Sequence, residues 1–356
     1  MTVTNLATSE MQLSGMRSEK VLHKIVETSR AGVIVVGGDT RISVANAAAQ
    51  RAFSRQGEPI ENKRLSEVIR DLSLHEAYRR ALTEGTSADL RLDYTVGSRY
   101  KYDVHVSPIE LDGAAGAIGF FYDMTRIERL ETVRQEFLSN ISHELRTPLT
   151  AIITFVETLE DGGIDDEENK MHFLNVIRRN AERMHSLIAD ILELSMIESG
   201  NVSVSIRDIK PAHLVKDVFS SLASKAEGRE VQLINQIPND TVIFADSVRF
   251  EQMITNLVDN AIKFNRRGGT VTVSHEQRGQ KDIISVADTG EGITPDHLPR
   301  IFERFYRTDR ARSRDLGGTG LGLAIVKHLA KLHGGEALVD SELTRGTTFR
   351  IEFPTR

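Results

Sequence analysis

The spacing of apolar residues changes twice along the chain and marks off three zones. From about residue 19 to 124 it suits short strands mixed with short helices. Gly32-Val33-Ile34-Val35-Val36 is an apolar run of strand length, and Gly37-Gly38-Asp39 supplies the turn after it. Arg41–Val44 reads as the returning strand and Asn46-Ala47-Ala48-Ala49 as a helix start. Tyr100, Tyr102, Val104 and Val106 alternate with Lys101, Asp103 and His105, the two-residue period of a half-buried strand. Gly116–Asp123 reads as the closing strand.

From about 125 to 199 the period lengthens. Ile127, Leu130, Val133, Phe137, Ile141, Leu145, Leu149, Ile152, Val156 and Leu159 recur at three and four, a single helical stripe. Asp161-Gly162-Gly163 breaks it. Leu174, Ile177, Ala181, Met184, Ile188 and Ile191 then repeat in heptad fashion. Two such helices and a short loop predict a helical hairpin. One hairpin cannot cover both stripes, whereas two can, as a four-helix bundle; a homodimer through 125–199 follows. The third zone, about 206–356, is α/β. Its strands are expected at Val231–Ile234, Val242–Phe244, Thr270–Ser274, Ile283–Ala287, Ala337–Val339 and Thr348–Phe353, with helices at Phe250–Phe264 and Leu321–Leu332.

Composition narrows this picture. A chain of 356 residues suits two or three domains. The net charge of -6 gives no basic footprint for a nucleic-acid partner. The absence of cysteine excludes disulfides, thiolate metal sites and a cysteine nucleophile. No apolar run approaches the ~18 residues of a membrane-spanning helix. Met1–Ser14 is polar and lacks the apolar centre of a signal peptide. Residues 1–18 read as a disordered lead-in, or as what remains beside a removed membrane anchor.

Chemistry enters first at Ser139-Asn140-Ile141-Ser142-His143-Glu144-Leu145-Arg146-Thr147-Pro148-Leu149. At about 100° per residue His143 lies away from Ile141 and Leu145, which are assigned to the bundle core, so His143 faces water. A neutral imidazole keeps a lone pair for nucleophilic attack near pH 7. Glu144 is placed to accept from the other ring nitrogen. Thr147 follows one turn later on the same face, and Pro148 removes a backbone donor and is expected to bend the helix.

Four further segments suit a nucleotide. Asn256 and Asn260 stand four apart on a helix, followed by Lys263 and Phe264. Amide oxygens are hard ligands suited to Mg2+, which prefers few protein ligands plus phosphate oxygens. Asp288-Thr289-Gly290-Glu291-Gly292-Ile293 ends a strand in an acid and a double-glycine turn. Gly317-Gly318-Thr319-Gly320-Leu321-Gly322 runs into a helix, where backbone N–H groups favour an anion. Ile301–Arg307, with Arg304 and Arg307, continues through Asp309–Asp315 as a charged stretch suited to a lid. There is no G-x-x-x-x-G-K-[ST] phosphate loop and no V-A-I-K, H-R-D, D-F-G set.

The His143 segment resembles the phosphoacceptor box of HisKA histidine kinases. The four later segments, in order, resemble the N, G1, F and G2 boxes of histidine-kinase ATP domains, and Gly346-Thr347-Thr348-Phe349 resembles the last glycine box. The GHKL ATPases share the N and G boxes but not the histidine box. The first zone resembles a PAS domain through Gly32–Val36, Asp39, Ile42, Asn46 and Asp123-Met124-Thr125. The order of domains resembles phosphate-type sensor kinases.

The resemblance implies a multidomain α+β protein of bacterial cytoplasm. A PAS-like α/β sensor domain spans 19–124 and a helical-hairpin HisKA domain 125–203. An α/β-sandwich (Bergerat/GHKL) ATP-binding domain spans 204–356. It implies ATP and Mg2+ as ligands, with Asn260 on the metal and Asp288 on adenine. Asn256, Lys263, Phe264, Gly290, Gly292, Ile293, Arg304, Arg307, Gly318, Thr319, Gly320, Leu321, Gly322 and Thr348 complete the nucleotide site. His143 carries the phosphoryl group to an aspartate of a response regulator, in trans because no receiver-like segment follows the ATP domain. Glu144 and Thr147 serve a phosphatase reaction. Ser199-Gly200-Asn201 is the expected hinge. Phe264 replaces a commoner tyrosine, and Asn265-Arg266 a frequent Ser-Pro. The sequence does not identify a PAS ligand. A flavin–cysteinyl adduct is excluded by the missing cysteine, and His105 lies on the polar face of its strand. Two other readings stay open: a nucleotide-binding regulatory scaffold, and a GHKL ATPase without phosphotransfer.

Overall fold

The structure, a computed structural model, describes residues 24–55, 57–96, 98–111, 113–308 and 318–355. The expected lead-in and the middle of the expected lid, with Gly317, lie outside the described residues. The chain divides into two compact units, one running to Gln135 and one from Glu136 onward.

The first unit is built on a five-stranded antiparallel sheet. Its strands are β1 (Gly32–Gly37), β2 (Ile42–Ala45), β3 (Ala88–Val96), β4 (Ser98–Leu111) and β5 (Ala114–Asp123), in the order β2-β1-β5-β4-β3. Helices α1 (Ala47–Phe53), α2 (Leu65–Val68) and α3 (Leu72–Glu84) lie between β2 and β3 in the chain. Asn46 explains why α1 starts where it does. Its Oδ1 accepts from the N–H groups of Ala49 and Val33, both at 2.9 Å, and its Nδ2 donates to the carbonyls of Val26 and Ala31, both at 2.9 Å. A fully buried amide with all four bonds made caps the helix and fixes it to β1. The core is aromatic, with Phe53 at 5.1–5.2 Å from the rings of Tyr94, Phe121 and Tyr102. His105 bonds Asp89 and Ser107. The helices α2 and α3 and the strand β3 had no place in the sequence reading.

In the second unit the long helix α4 (Thr125–Thr158), which begins in the first unit, runs on through Pro148 without a break. It ends in a wide turn over Leu159–Gly163, where Gly162 takes φ 104, a left-handed value that glycine adopts freely. Helix α5 (Lys170–Glu198) completes the hairpin. Beyond it come β6 (Arg207–Ile209), α6 (Pro211–Glu227), β7 (Gln232–Asn235), β8 (Ile243–Ala245) and α7 (Ser247–Lys263). The chain continues with β9 (Thr270–Arg278), β10 (Lys281–Asp288), α8 (Gly322–Leu332), β11 (Glu336–Glu342) and β12 (Gly346–Pro354).

The main sheet has the order β11-β12-β10-β9-β7, with only β7 and β9 parallel, and β6 pairs with β8 apart from it. Helices α6, α7 and α8 pack on this sheet through one apolar core that includes Phe250, Leu257, Ile325, Ile351 and Phe353. Fully burying a side chain the size of Phe250 contributes roughly 1.5–3 kcal/mol, and its ring also meets Phe353 at 6.0 Å.

The hairpin departs from expectation in one respect. Leu187, Leu194 and Ile197 of α5 are buried in this same α/β core, and Phe137 and Leu145 of α4 pack against it. Part of the stripe assigned to the bundle therefore faces the α/β layer. Leu174 and Ile188 remain largely exposed at 47% and 45%. No helix among the described residues is long and apolar enough to cross a membrane.

Candidate functional site

Helix α7 carries Asn256 and Asn260 one turn apart, both half-buried. Asp246 fixes where the helix begins, its Oδ1 accepting from Val248 N–H at 2.9 Å and Arg249 N–H at 3.1 Å. Neither asparagine amide hydrogen-bonds a described residue. Gly322 opens α8 directly beside Asn256: a Cβ on Gly322 would lie 3.5 Å from the side-chain amide carbon. The glycine-rich loop before α8 is thus brought against the asparagine helix. Leu321 anchors the loop in the core. Gly320 takes φ 75 and gives its carbonyl to Phe305 N–H at 2.8 Å. The first N–H groups of α8, which lack intrahelical acceptors, therefore face the same region as Asn256.

Asp288 ends β10. Its Oδ1 accepts from Gly290 N–H at 2.8 Å and Thr347 N–H at 3.2 Å, while Oδ2 bonds no described residue. Burial pushes the carboxyl above the usual carboxylate range, and the two N–H groups pull it back only in part. Two glycines make the setting. A Cβ on Gly290 would lie 2.4 Å from the Phe264 carbonyl oxygen, and one on Gly346 would lie 1.9 Å from that of Asp288. Phe264 follows α7 and leaves 39% of its surface exposed. Ile293 N–H donates to Ser341 Oγ at 2.8 Å, and Gly292, at φ 72, passes against the Glu342 carbonyl. Thr348 pairs with Ala287 across β10 and β12.

The three cations expected in the nucleotide site are all engaged with carboxylates here. Lys263 pairs with Asp259 at 2.5 Å, and Lys225 takes the other Asp259 oxygen at 2.9 Å. Burial opposes ionisation of Asp259, but the two lysines hold its pKa below the ordinary value. Arg304 meets Glu198 at 2.5 Å and lies 5.1 Å over the Phe137 ring. Arg307 donates to Glu144 at 3.1 Å and also to the Gly318 carbonyl.

On the hairpin, His143 and Thr147 are exposed one turn apart, and Thr147 Oγ1 donates to the His143 carbonyl at 3.2 Å. The expected Glu144–imidazole bond is not formed. Glu144 instead accepts from Arg183 and Arg307, each at 3.1 Å. Two charge-assisted bonds from guanidinium groups outweigh one from a neutral imidazole.

Three residues that the sequence reading passed over take part. Asp190 on α5 accepts from Thr319 Oγ1 at 2.7 Å, Glu198 holds Arg304, and Thr347 bonds Asp288. On a heptad-patterned helix, Asp190 and Glu198 read as solvated positions. Thr347 was passed over for its neighbour Thr348, which points to the opposite face of β12.

Residues 26–129 match the family model "PAS fold", residues 133–200 "His Kinase A (phospho-acceptor) domain", and residues 245–356 "Histidine kinase-, DNA gyrase B-, and HSP90-like ATPase". Sensor histidine kinase WalK of Bacillus subtilis (strain 168) is 31% identical over 339 residues, covering 93% of this chain and 53% of that protein. Sensor protein SrrB of Staphylococcus aureus (strain N315) is 27% identical over 338 residues, covering 95% of this chain and 56% of that protein. The chain thus spans about half the length of the curated relatives it matches. The structure of histidine kinase ThkA in complex with response regulator protein TrrA shares the fold, with a TM-score of 0.51 and 22% identity over 93% of this chain and 98% of that one. With all three models matched in sequence order, and the glycine and asparagine segments converging in space, the chain belongs to the PAS-containing sensor histidine kinases.

Proposed function

We propose that this chain is a sensor histidine kinase. It transfers the γ-phosphoryl group of ATP to His143, and from there to an aspartate of a response regulator acting in trans. The single observation that carries this reading is the convergence of Asn256, Gly322 and the loop before α8, in a unit whose hairpin exposes His143. The residues present fit the nucleotide. Two half-buried asparagine amides bond no described residue, and one Asp288 oxygen, likewise without a partner among the described residues, suits an exocyclic amino donor. Asn260, together with phosphate oxygens, would hold Mg2+, which would supply charge neutralisation on the triphosphate when bound.

The chain's own groups do the rest. Asp288 orients adenine, Phe264 packs on the base, and the N–H groups at the start of α8 hold phosphate oxygens. Lys263, Arg304 and Arg307 supply positive charge once released from their present carboxylates. His143 attacks in line through its unprotonated nitrogen, in a reaction that rests on positioning and charge neutralisation. In this arrangement Glu144 is held by arginines, so orienting His143 requires it to leave them. Glu144 and Thr147, one turn apart beside His143, serve a phosphatase reaction on the phosphorylated regulator.

Two copies pair through the hairpins at 125–199, covering the exposed stripe that includes Leu174 and Ile188. The assignment of the PAS-like zone to 19–124, the hairpin to 125–203 and the ATP domain to 204–356 belongs to the same reading, as does a cytoplasmic location for the catalytic parts. ThkA was solved with a response regulator bound, and a partner of that kind is the acceptor proposed here.

One stoichiometry separates this from the alternatives. The chain is incubated with Mg2+ and ATP, and phosphoryl groups retained on protein are counted against ADP formed. A kinase retains about one per ADP early in the reaction. A plain ATPase releases them all as inorganic phosphate, and a scaffold forms no ADP. Asn260→Ala should abolish both products.

A further inference from the structure

Asp190 belongs to the hairpin, yet its carboxylate reaches the phosphate loop. Its Oδ2 accepts from Thr319 Oγ1 at 2.7 Å, and that hydroxyl in turn accepts from Leu321 N–H at 3.3 Å. One hydroxyl therefore separates Asp190 from the N-terminus of α8, where N–H groups without intrahelical acceptors and the helix dipole favour an anion. Lys263, from the neighbouring helix, favours the ionised form of the same carboxylate. These are the surroundings that the phosphate chain of a nucleotide seeks.

We propose that Asp190 is an internal stand-in for nucleotide phosphate, seated at the phosphate loop while the hairpin is docked and displaced when a triphosphate arrives. The proposal rests on the nucleotide reading above. Burial pushes the Asp190 carboxyl above its ordinary range and Glu193 adds to this, whereas Thr319 and Lys263 pull it back. A further anion at the same loop would face this partly desolvated carboxylate at close range, and like charges there repel strongly. The hairpin repeats the device nearby: Glu144 occupies Arg307 and Glu198 occupies Arg304, two arginines of the Ile301–Arg307 segment. Docking of the hairpin and binding of triphosphate then oppose each other, and linkage makes the opposition reciprocal.

The test titrates the full chain, as wild type and as Asp190→Asn, with adenosine, ADP and ATP in the presence of Mg2+, by calorimetry. Asparagine still accepts from Thr319 but removes the charge, and Asp190→Ala serves as a second variant, each checked for a native melting transition. The expected result is ATP binding at least ~5-fold tighter in both folded variants, a smaller gain for ADP, and adenosine unchanged. Equal gains for ATP and adenosine would overturn the proposal, since hairpin docking would then merely shield the site. Unchanged or weaker ATP binding in both folded variants would overturn it too. A wild-type chain that binds neither adenosine nor ATP would remove the nucleotide reading and this proposal together.

Discussion

Asp288 shows how single residues set this site. Its buried carboxylate is held by two backbone N–H groups from Gly290 and Thr347, and both donors depend on glycines that let main chains touch. Gly346→Ala would place a Cβ 1.9 Å from the Asp288 carbonyl oxygen at a backbone φ of 120. The backbone strain alone is about 1–3 kcal/mol. The variant is expected to unfold at lower urea, and because Thr347 N–H is pushed away, ATP affinity should fall roughly tenfold, equivalent to about 1.4 kcal/mol. Native stability with unchanged affinity would show that the close approach is unimportant. The acid and Gly290 could be read from the sequence, because they stand together in it. The contacts of Asp190, Glu198 and Thr347 were not, because each needs a partner 59 to 129 positions away, or an end of one helix meeting another.

Between elements, His333 joins the end of α8 to the start of α7. It is 3% exposed, with Nδ1 donating to the Leu329 carbonyl at 2.7 Å and Nε2 accepting from Asp246 N–H at 3.1 Å. Burial lowers its pKa, more than the Leu329 bond and the Asp246 charge raise it, and Arg249 lowers it further. The folded pKa therefore lies below the unfolded one, and the unfolded chain binds more protons between the two. This stabilisation is fully present above ~6.5 and is lost as pH falls through the folded value. His333→Leu leaves the Asp246 N–H without an acceptor and should cost about 1–3 kcal/mol at pH 7.5. The gap from wild type, read by urea unfolding, should narrow as pH is lowered from 7.5 to 5. A gap independent of pH would show that His333 does not titrate between the two states.

Elements with long, regular periods were legible, α4, α5 and α7 above all. Helix α6 was missed although Pro211 begins it and Val215, Val218 and Leu222 line one face, because alanines fill the rest of the stripe. The three-residue strands β6 and β8 carry too few positions for a period, and only β8 was anticipated. The partner of a stripe is a separate question. The pattern that marks Phe137 and Leu145 as buried does not say whether a second hairpin or an α/β core buries them.

At the scale of the whole molecule, the exposed apolar residues of the hairpin carry the prediction. Leu174 and Ile188 are left open by a single chain. A Leu174→Asp, Ile188→Asp double variant should sediment as a monomer where wild type is a dimer, while its nucleotide affinity stays within about twofold, a change of less than ~0.5 kcal/mol. A dimer that survives both charges would locate the interface elsewhere. The division of labour in the account, a sensor unit, a hairpin bearing the acceptor and an α/β layer for ATP, places its whole weight on His143. The most direct measurement incubates wild type and His143→Gln with γ-labelled ATP and Mg2+, then tests the bound label in acid and in base. Label that is lost in acid, survives base and is absent from His143→Gln is the predicted result. Equal labelling of the two proteins, or label stable to acid, would contradict it.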